Sequence, residues 1–243
     1  MNNNGNPEII FNGVSSEALG LIVTKLPDFH RAPRRVTQTD IPGSSVPVIQ
    51  DEGGYDPYET TMEINANGVP LQDIYAWLRG EGWLISSDEP DLMAYVYLYG
   101  QIEDSRFRVD GDCYDNLVVP VQVEPYLREV DEAGITLTTA GTFAGKGHDP
   151  ALPAITVTGT GDINLLVNGA SVLIDGLSGS ITIDSETGVA YTGAGDQMEW
   201  AGSMVSLQEG DSWPQLKPAG ETNLVSWSGT VTSVVIQPKW RYL

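Results

Sequence analysis

The sequence is poor in the residues that most often build catalytic and metal sites. Its 243 residues include one cysteine, Cys113, and two histidines, His30 and His148. A single cysteine excludes an intrachain disulfide, and so few nitrogen and sulfur ligands argue against a zinc-type metal site. We therefore expect the stability of the fold to come from buried apolar surface and from partner subunits.

Basic residues are also scarce, since 12 lysines and arginines stand against 33 aspartates and glutamates, for a net charge of −21. Affinity for nucleic acid comes mainly from lysine and arginine contacts to phosphate, so this balance argues against nucleic-acid binding. The sequence has no apolar run of the roughly 18 residues that would span a bilayer. Residues 1–7 have no basic start and no apolar run, so no cleaved secretion signal is predicted.

The composition is typical of a globular protein with many turns, with 41% hydrophobic residues, 27 glycines and 15 prolines. In the first half, short β-branched or apolar clusters are bounded by turn residues, which predicts strands. These predicted strands are 9–11, 21–23, 35–37, 61–64, 83–85, 93–99 and 118–123. The turn residues at 87–91 predict that two of these strands form a hairpin.

One segment of the first half has a helical pattern instead. Apolar residues recur at i, i+3, i+4 and i+7 from Leu71 to Leu78, which predicts an amphipathic helix over residues 70–79. Pro70 suits the first helical position, and Gly80 suits the residue at which the helix stops. We expect this helix to pack on the sheet.

The composition changes to glycine, alanine and threonine between Arg128 and Pro153. Glycines and prolines cluster there, which makes this stretch the best candidate for a domain boundary. We predict a first domain over residues 1–128, a linker region with a first strand over 129–153, and a second domain over 154–243.

The second half shows no helical period. Its predicted strands are 154–157, 165–167, 172–174, 181–183, 189–191, 224–227 and 231–236. Asn168 and Gly169 form a typical hairpin turn. Regular short strands separated by turns predict a β-sandwich, so the expected fold class is mainly β with one helix. The last segment, 237–243, either completes the sandwich or packs on the first domain.

No pattern of reactive residues predicts an enzyme. A serine or cysteine nucleophile needs a base, and both histidines lie in predicted loops without a nucleophile-elbow motif. Carboxylates are so frequent that chance pairs say little about a glycosidase. The acidic loop 110–116 offers oxygen ligands for calcium, but Tyr114 occupies the third ligand position, which favours a solvated hairpin tip. We predict no catalytic residue, no metal and no cofactor.

Several short motifs follow one another in a specific order along the two halves of the sequence. In the first half they are FNG at 11–13, SEALGL at 16–21, RRV at 34–36, IPG at 41–43, WL at 77–78, GWL at 82–84, SDEPD at 87–91 and VEPY at 123–126. In the second half they are PAI at 153–155, GTGDI at 159–163, ITID at 181–184, PQL at 214–216 and WSG at 227–229. Together they resemble the distal tail proteins of phages with long, flexible, non-contractile tails.

The resemblance implies a first domain related to the tail-tube fold, which assembles as a homohexameric ring, and a second, galectin-like β-sandwich that projects outward. It also implies a structural role at the virion tail tip, for a chain made in the bacterial host cytoplasm. The partners implied are the tail tube protein and a baseplate or tail hub protein, with no membrane insertion. DNA passes such a ring without being bound, because an acidic lumen repels phosphate.

The connection over residues 42–57 is rich in glycine, proline and serine, and it is too long for an ordinary hairpin loop. We hypothesise that it wraps onto the adjacent subunit of the ring. The candidate ring-interface residues are Arg34, Arg35, Pro42, Gly43 and Tyr55.

A carbohydrate-binding module that recognises host cell-wall polysaccharide is the alternative hypothesis. Trp200 and Trp213 lie in predicted loops and are the candidates for stacking on a glycan. The usual galactose site of galectins cannot be assembled here, because the second half offers only His148 and Arg241 as its histidine and arginine.

Overall fold

Most of the chain folds into antiparallel β-strands, which confirms the predicted fold class. The computed structural model describes residues 5, 7–43, 45–106, 113–193 and 197–243. Within those residues the strands are accompanied by a single α-helix, α1 (Leu71–Trp77), and by a short 3-10 helix at Gly202–Met204. The chain divides into two compact units, the first ending at Val130 and the second running from Asp131 to Tyr242.

The first unit contains ten strands among its described residues. They are β1 (Ile9–Phe11), β2 (Val14–Ser15), β3 (Leu21–Lys25), β4 (Arg34–Thr39), β5 (Val48–Tyr55), β6 (Tyr58–Asn67), β7 (Gly80–Ser86), β8 (Leu92–Leu98), β9 (Glu103–Arg106) and β10 (Cys113–Glu129). Eight of them form one sheet in the order β2-β1-β7-β8-β10-β6-β3, with β9 also paired to β10. Every strand predicted in the first half overlaps one of these, and β7 and β8 form the predicted hairpin.

This sheet buries one face. Alternating side chains such as Phe11, Met62 and Leu84 are removed from solvent and form the core of the unit, to which the helix adds Ile74. The helix lies within the predicted range. Pro70 is its N-cap and not its first helical residue, because its ψ of 134° is extended while its carbonyl accepts the amides three and four residues later.

Strands β4 and β5 form a separate two-stranded ribbon outside that sheet. The prediction of a long loop over residues 42–57 is therefore wrong in part, since the segment from Val48 onward pairs with β4. Val48 and Ile49 are β-branched and favour a strand, while Gly53 and Gly54 adopt positive φ angles of 73° and 82°, which lets the backbone bend before Tyr55.

The second unit is built on one eight-stranded sheet. Its strands are β11 (Ile135–Leu137), β12 (Gly141–Ala144), β13 (Ala154–Val167), β14 (Ala170–Asp184), β15 (Val189–Thr192), β16 (Glu199–Trp200), β17 (Val205–Leu207) and β18 (Thr222–Gln237). The order is β11-β18-β13-β14-β15-β16, with β12 paired to β18 and β17 to β14. The β13–β14 hairpin turns at Asn168 and Gly169, both with positive φ, as predicted.

Three pairs of strands predicted as separate are single long strands, β13, β14 and β18. Glycines inside them bend the strand without ending it. A Cβ atom added to Gly159 would lie 2.3 Å from the carbonyl oxygen of Thr230, and one added to Gly229 would lie 2.4 Å from that of Asp162. Only glycine permits this close approach, so the long strands curl, and residues from both sides of each bend share one core.

Residues 237–242 belong to the second unit. Trp240 is 2% exposed and belongs to that unit's core. The Glu132 carboxylate accepts hydrogen bonds from the amides of Trp240 (2.6 Å) and Lys239 (2.8 Å) and from the side chain of Gln237 (3.1 Å). Lys239 has a positive φ of 54° and binds the Asp184 carboxylate at 3.0 Å. A residue near the start of the unit therefore holds its last segment in place.

Replacing Glu132 with alanine should lower the free energy of unfolding of the second unit by about 1.5–3 kcal/mol, the range for hydrogen bonds to a charged group. Urea denaturation followed by tryptophan fluorescence measures this change. The control is Asp131→Ala, which removes a neighbouring exposed carboxylate and should change stability by less than about 0.5 kcal/mol. Equal stability of the two variants would contradict the conclusion that the Glu132 carboxylate holds the last segment in place.

Candidate functional site

The ribbon of β4 and β5 is the most exposed ordered feature of the first unit. Every residue of β4 and all of β5 before Tyr55 are exposed to solvent. Five branched aliphatic side chains on the ribbon and its turn are 48–70% exposed: Val36, Ile41, Val46, Val48 and Ile49. A cluster of exposed apolar residues of this kind marks an interaction surface.

The base of the ribbon is pinned by polar contacts within the chain. The Arg34 guanidinium donates to Asp51 at 2.7 Å and to the Tyr55 hydroxyl at 3.2 Å, and it lies 5.4 Å from the centre of the Tyr55 ring. Tyr55 is buried and packs edge-on against Tyr126. Arg35 donates to Asp56 at 2.7 Å. These contacts fasten the base of the ribbon to the rest of the first unit.

The carboxylate of Asp51 accepts two of the hydrogen bonds at the base of the ribbon. The backbone amide of Gly53 donates to it at 2.9 Å, and this bond, together with the Arg34 guanidinium, holds the pKa of Asp51 below its ordinary value. The same pairing raises the pKa of Arg34. Both groups stay charged over the whole physiological pH range, so the ion pair between Arg34 and Asp51 persists near neutral pH.

The structure divides the five predicted ring-interface residues into two groups. Arg34, Arg35 and Tyr55 lie together at the base and serve the chain's own structure, while Pro42 and Gly43 lie in the exposed turn. Sequence reasoning missed the exposed aliphatic residues themselves. The sequence feature that could have indicated them is the β-branched pair at 48–49 inside an otherwise glycine- and proline-rich segment.

A second surface is an aromatic strip on the outer face of the first unit's sheet, formed by Trp83, Tyr95, Tyr97 and Tyr99. Neighbouring ring centres along the strip are 5.1, 5.6 and 6.0 Å apart. The hydroxyl of Tyr97 donates to Glu124 at 2.7 Å, and that of Tyr99 donates to Glu81 at 2.8 Å. The bond to Glu124 is the main cause that raises the pKa of Tyr97 to about 12.

A groove of about 400 Å³ lies in the second unit between the β13–β14 turn and the segment 210–218. Trp213 forms one wall and also packs against the core. Asp211, Gln215 and Lys217 line the groove with a carboxylate, an amide and an ammonium group. Trp200, the other tryptophan predicted to stack on glycans, is 73% exposed but does not line this groove.

The described part of the chain contains no group of three or more histidine, cysteine, aspartate or glutamate side chains placed to hold a metal ion. The predicted acidic loop 110–116 lies partly outside the described residues.

Among residues that the structure describes, no helix is long and apolar enough to cross a membrane. The two histidines each pack near a tyrosine ring, His30 near Tyr58 and His148 near Tyr242.

Replacing Glu124 with glutamine should lower the pKa of Tyr97 from about 12 toward its ordinary value near 10. Because folding raises this pKa, the stability that the hydrogen bond contributes is complete below pH 10 and is lost as the pH rises through about 12. The measurement is a ¹³C NMR titration of tyrosine Cζ, with Tyr97→Phe assigning the signal. Glu209→Gln, in the second unit, is the control, and an unchanged titration of Tyr97 in Glu124→Gln would contradict the assignment.

No protein-family model and no curated protein matches this sequence. Among solved structures, the chain is similar to the Dit protein (gp 19.1) of phage SPP1, described as a paradigm of the hub adsorption apparatus in phages that infect Gram-positive bacteria. The TM-score is 0.73 at 14% sequence identity, over 98% of this chain and 99% of that one.

A chain of the phage P2 baseplate, in its activated conformation with calcium, matches over 98% of this chain with a TM-score of 0.46 and 7% identity, a level that does not establish a shared fold. The similarity to SPP1 Dit does establish one. The predicted similarity to the distal tail protein fold is thus confirmed over 98% of the chain, and at 14% identity the likeness concerns the fold alone.

Proposed function

We propose that this protein is a structural component of a phage or prophage tail tip, where six copies form a ring at the distal end of the tail tube. The ring binds baseplate or receptor-binding proteins and acts as their assembly hub. The observation that supports this proposal is the fold shared with SPP1 Dit over 98% of the chain. That protein is described as part of a hub adsorption apparatus, and the same role is what we propose here.

The ribbon is the element that we assign to contact between subunits. A ring needs a heterologous interface, in which one surface of each copy meets a different surface of the next. The ribbon suits one side of such an interface because its base is fixed by Arg34 while its aliphatic side chains are 48–70% exposed. Burying the exposed half of one such side chain contributes roughly 1 kcal/mol to the free energy of association.

The charge of the chain fits a ring through which DNA passes. A net charge of −21 per subunit makes the assembled ring strongly acidic, and an acidic channel does not hold phosphates. The same charge opposes association of the subunits. We therefore expect apolar contact at the ribbon, and not ion pairing, to supply the free energy of ring closure.

The second unit, in this proposal, is the galectin-like domain that binds the adsorption proteins. Its curled sheet has a continuous core of its own, so its surface can vary without disturbing the first unit. We assign ring formation to the first unit and recruitment of partners to the second.

Replacing Ile49 with aspartate should abolish ring formation, because the substitution places a charge in the proposed subunit interface. Ile49 is 64% exposed, so the subunit itself should fold normally. The control is Leu224→Asp, which introduces the same charge at a residue of the second unit that is 53% exposed. Analytical ultracentrifugation at matched protein concentration measures the oligomeric state.

The expected outcome is a hexamer for the unsubstituted chain and for Leu224→Asp, and a monomer for Ile49→Asp. Circular dichroism shows that both variants are folded. A hexamer of Ile49→Asp as stable as the unsubstituted one would remove the ribbon from the interface. Loss of the hexamer in both variants would show that added charge alone, and not the ribbon, controls assembly.

A further inference from the structure

We propose that the groove beside Trp213 in the second unit binds a neutral saccharide, an activity beyond the structural role proposed above. Its volume of about 400 Å³ lies within the range of small-ligand sites, roughly 300–1,000 Å³. The groove lies entirely within the second unit, between the β13–β14 turn and the segment 210–218. The site therefore exists in each subunit, whatever the oligomeric state.

Trp213 supplies the apolar surface that a sugar ring needs. The residue packs against the core of the unit and also lines the groove. Its Nε1 edge lies close to Gly188, where an added Cβ atom would come within 3.3 Å. Contact with the core on one part and with Gly188 at the Nε1 edge restricts the orientation of the ring, so stacking of a ligand on it costs little side-chain entropy in the protein.

The polar groups of the groove are suited to hydroxyl groups. The Asp211 carboxylate accepts the Ser171 amide at 2.9 Å, which fixes its position and leaves most of its acceptor capacity for a ligand. The amide of Gln215 and the hydroxyl of Ser212 can each donate and accept. A carboxylate and an amide beside an aromatic ring match the alternating hydroxyl groups and apolar face of a sugar.

The backbone around the groove is rigid. Asn168, at the β13–β14 turn, donates to the carbonyl of Gln215 and to the side chain of Asn223, both at 2.8 Å, and accepts the amide of Leu224 at 2.9 Å. Asn223 is completely buried, and its side-chain oxygen also accepts the amide of Lys217 at 2.8 Å. These two asparagines join both walls of the groove, so the site is preorganised.

The charge of the groove argues for a neutral ligand. Lys217 lies 3.5 Å from Glu221, so its charge is balanced within the chain. Asp211 then gives the lining a net negative charge, and no arginine or histidine lines the groove among the described residues. An anion such as phosphate is therefore disfavoured, while a neutral polyhydroxyl ligand is not.

The test is a titration of the full chain with glucose, galactose, N-acetylglucosamine and their disaccharides. Binding is measured by ligand-detected saturation-transfer NMR. Inorganic phosphate is the anionic probe. We expect saturable binding of at least one saccharide and none of phosphate. Trp213→Leu, which keeps an apolar side chain against the core, should weaken that binding at least tenfold. Trp200→Ala is the matched control, because it removes an exposed tryptophan of the same unit outside the groove.

Gln215→Ala is the second variant, since it truncates an exposed side chain and leaves the core intact even if Trp213→Leu does not fold. It should also weaken the binding of the saccharide. The proposal is overturned if none of the saccharides binds, if phosphate binds instead, or if Trp200→Ala and not the groove variants removes binding. Ultracentrifugation of the same samples reports ring formation separately, so failure of this site and failure of the ring are distinguishable.

Discussion

A two-stranded β-ribbon outside any hydrophobic core is at best marginally stable in water. In this protein such a ribbon is fixed at its base, where Arg34 binds Asp51 and stacks over the buried ring of Tyr55. Beyond that base its aliphatic side chains are 48–70% exposed. A fixed base with an exposed apolar end is consistent with the proposal that another subunit of a ring covers the ribbon.

The second unit is stabilised differently, by one continuous sheet that curls around a core. Glycines at positions 159 and 229 allow the backbones of β13 and β18 to approach within distances that any side chain would prevent. The carboxylate of Glu132 then holds the last segment of the unit, so that Trp240 completes the core. Asn168 positions the groove, because it lies in the hairpin turn and also makes the hydrogen bonds that join the groove walls.

Local patterns predicted the parts of the fold that depend on local physics. The helix followed from apolar periodicity, and the β13–β14 turn followed from Asn168 and Gly169. The long strands were missed because an internal glycine looks the same in sequence whether it ends a strand or bends it. Trp213 was predicted as a candidate for stacking, but the β13–β14 turn, which forms the opposite side of the groove, reaches the segment 210–218 only through tertiary contacts such as the hydrogen bond from Asn168 to the Gln215 carbonyl. Which of two tryptophans faces a groove is likewise a tertiary property.

The ring is tested most directly by negative-stain imaging of the purified chain over a range of protein concentration and ionic strength. The predicted result is a six-membered ring with an open centre. It should form more readily as added salt screens the repulsion between subunits of charge −21. Single subunits at every protein concentration and salt would contradict the proposal that the ribbon joins neighbouring copies.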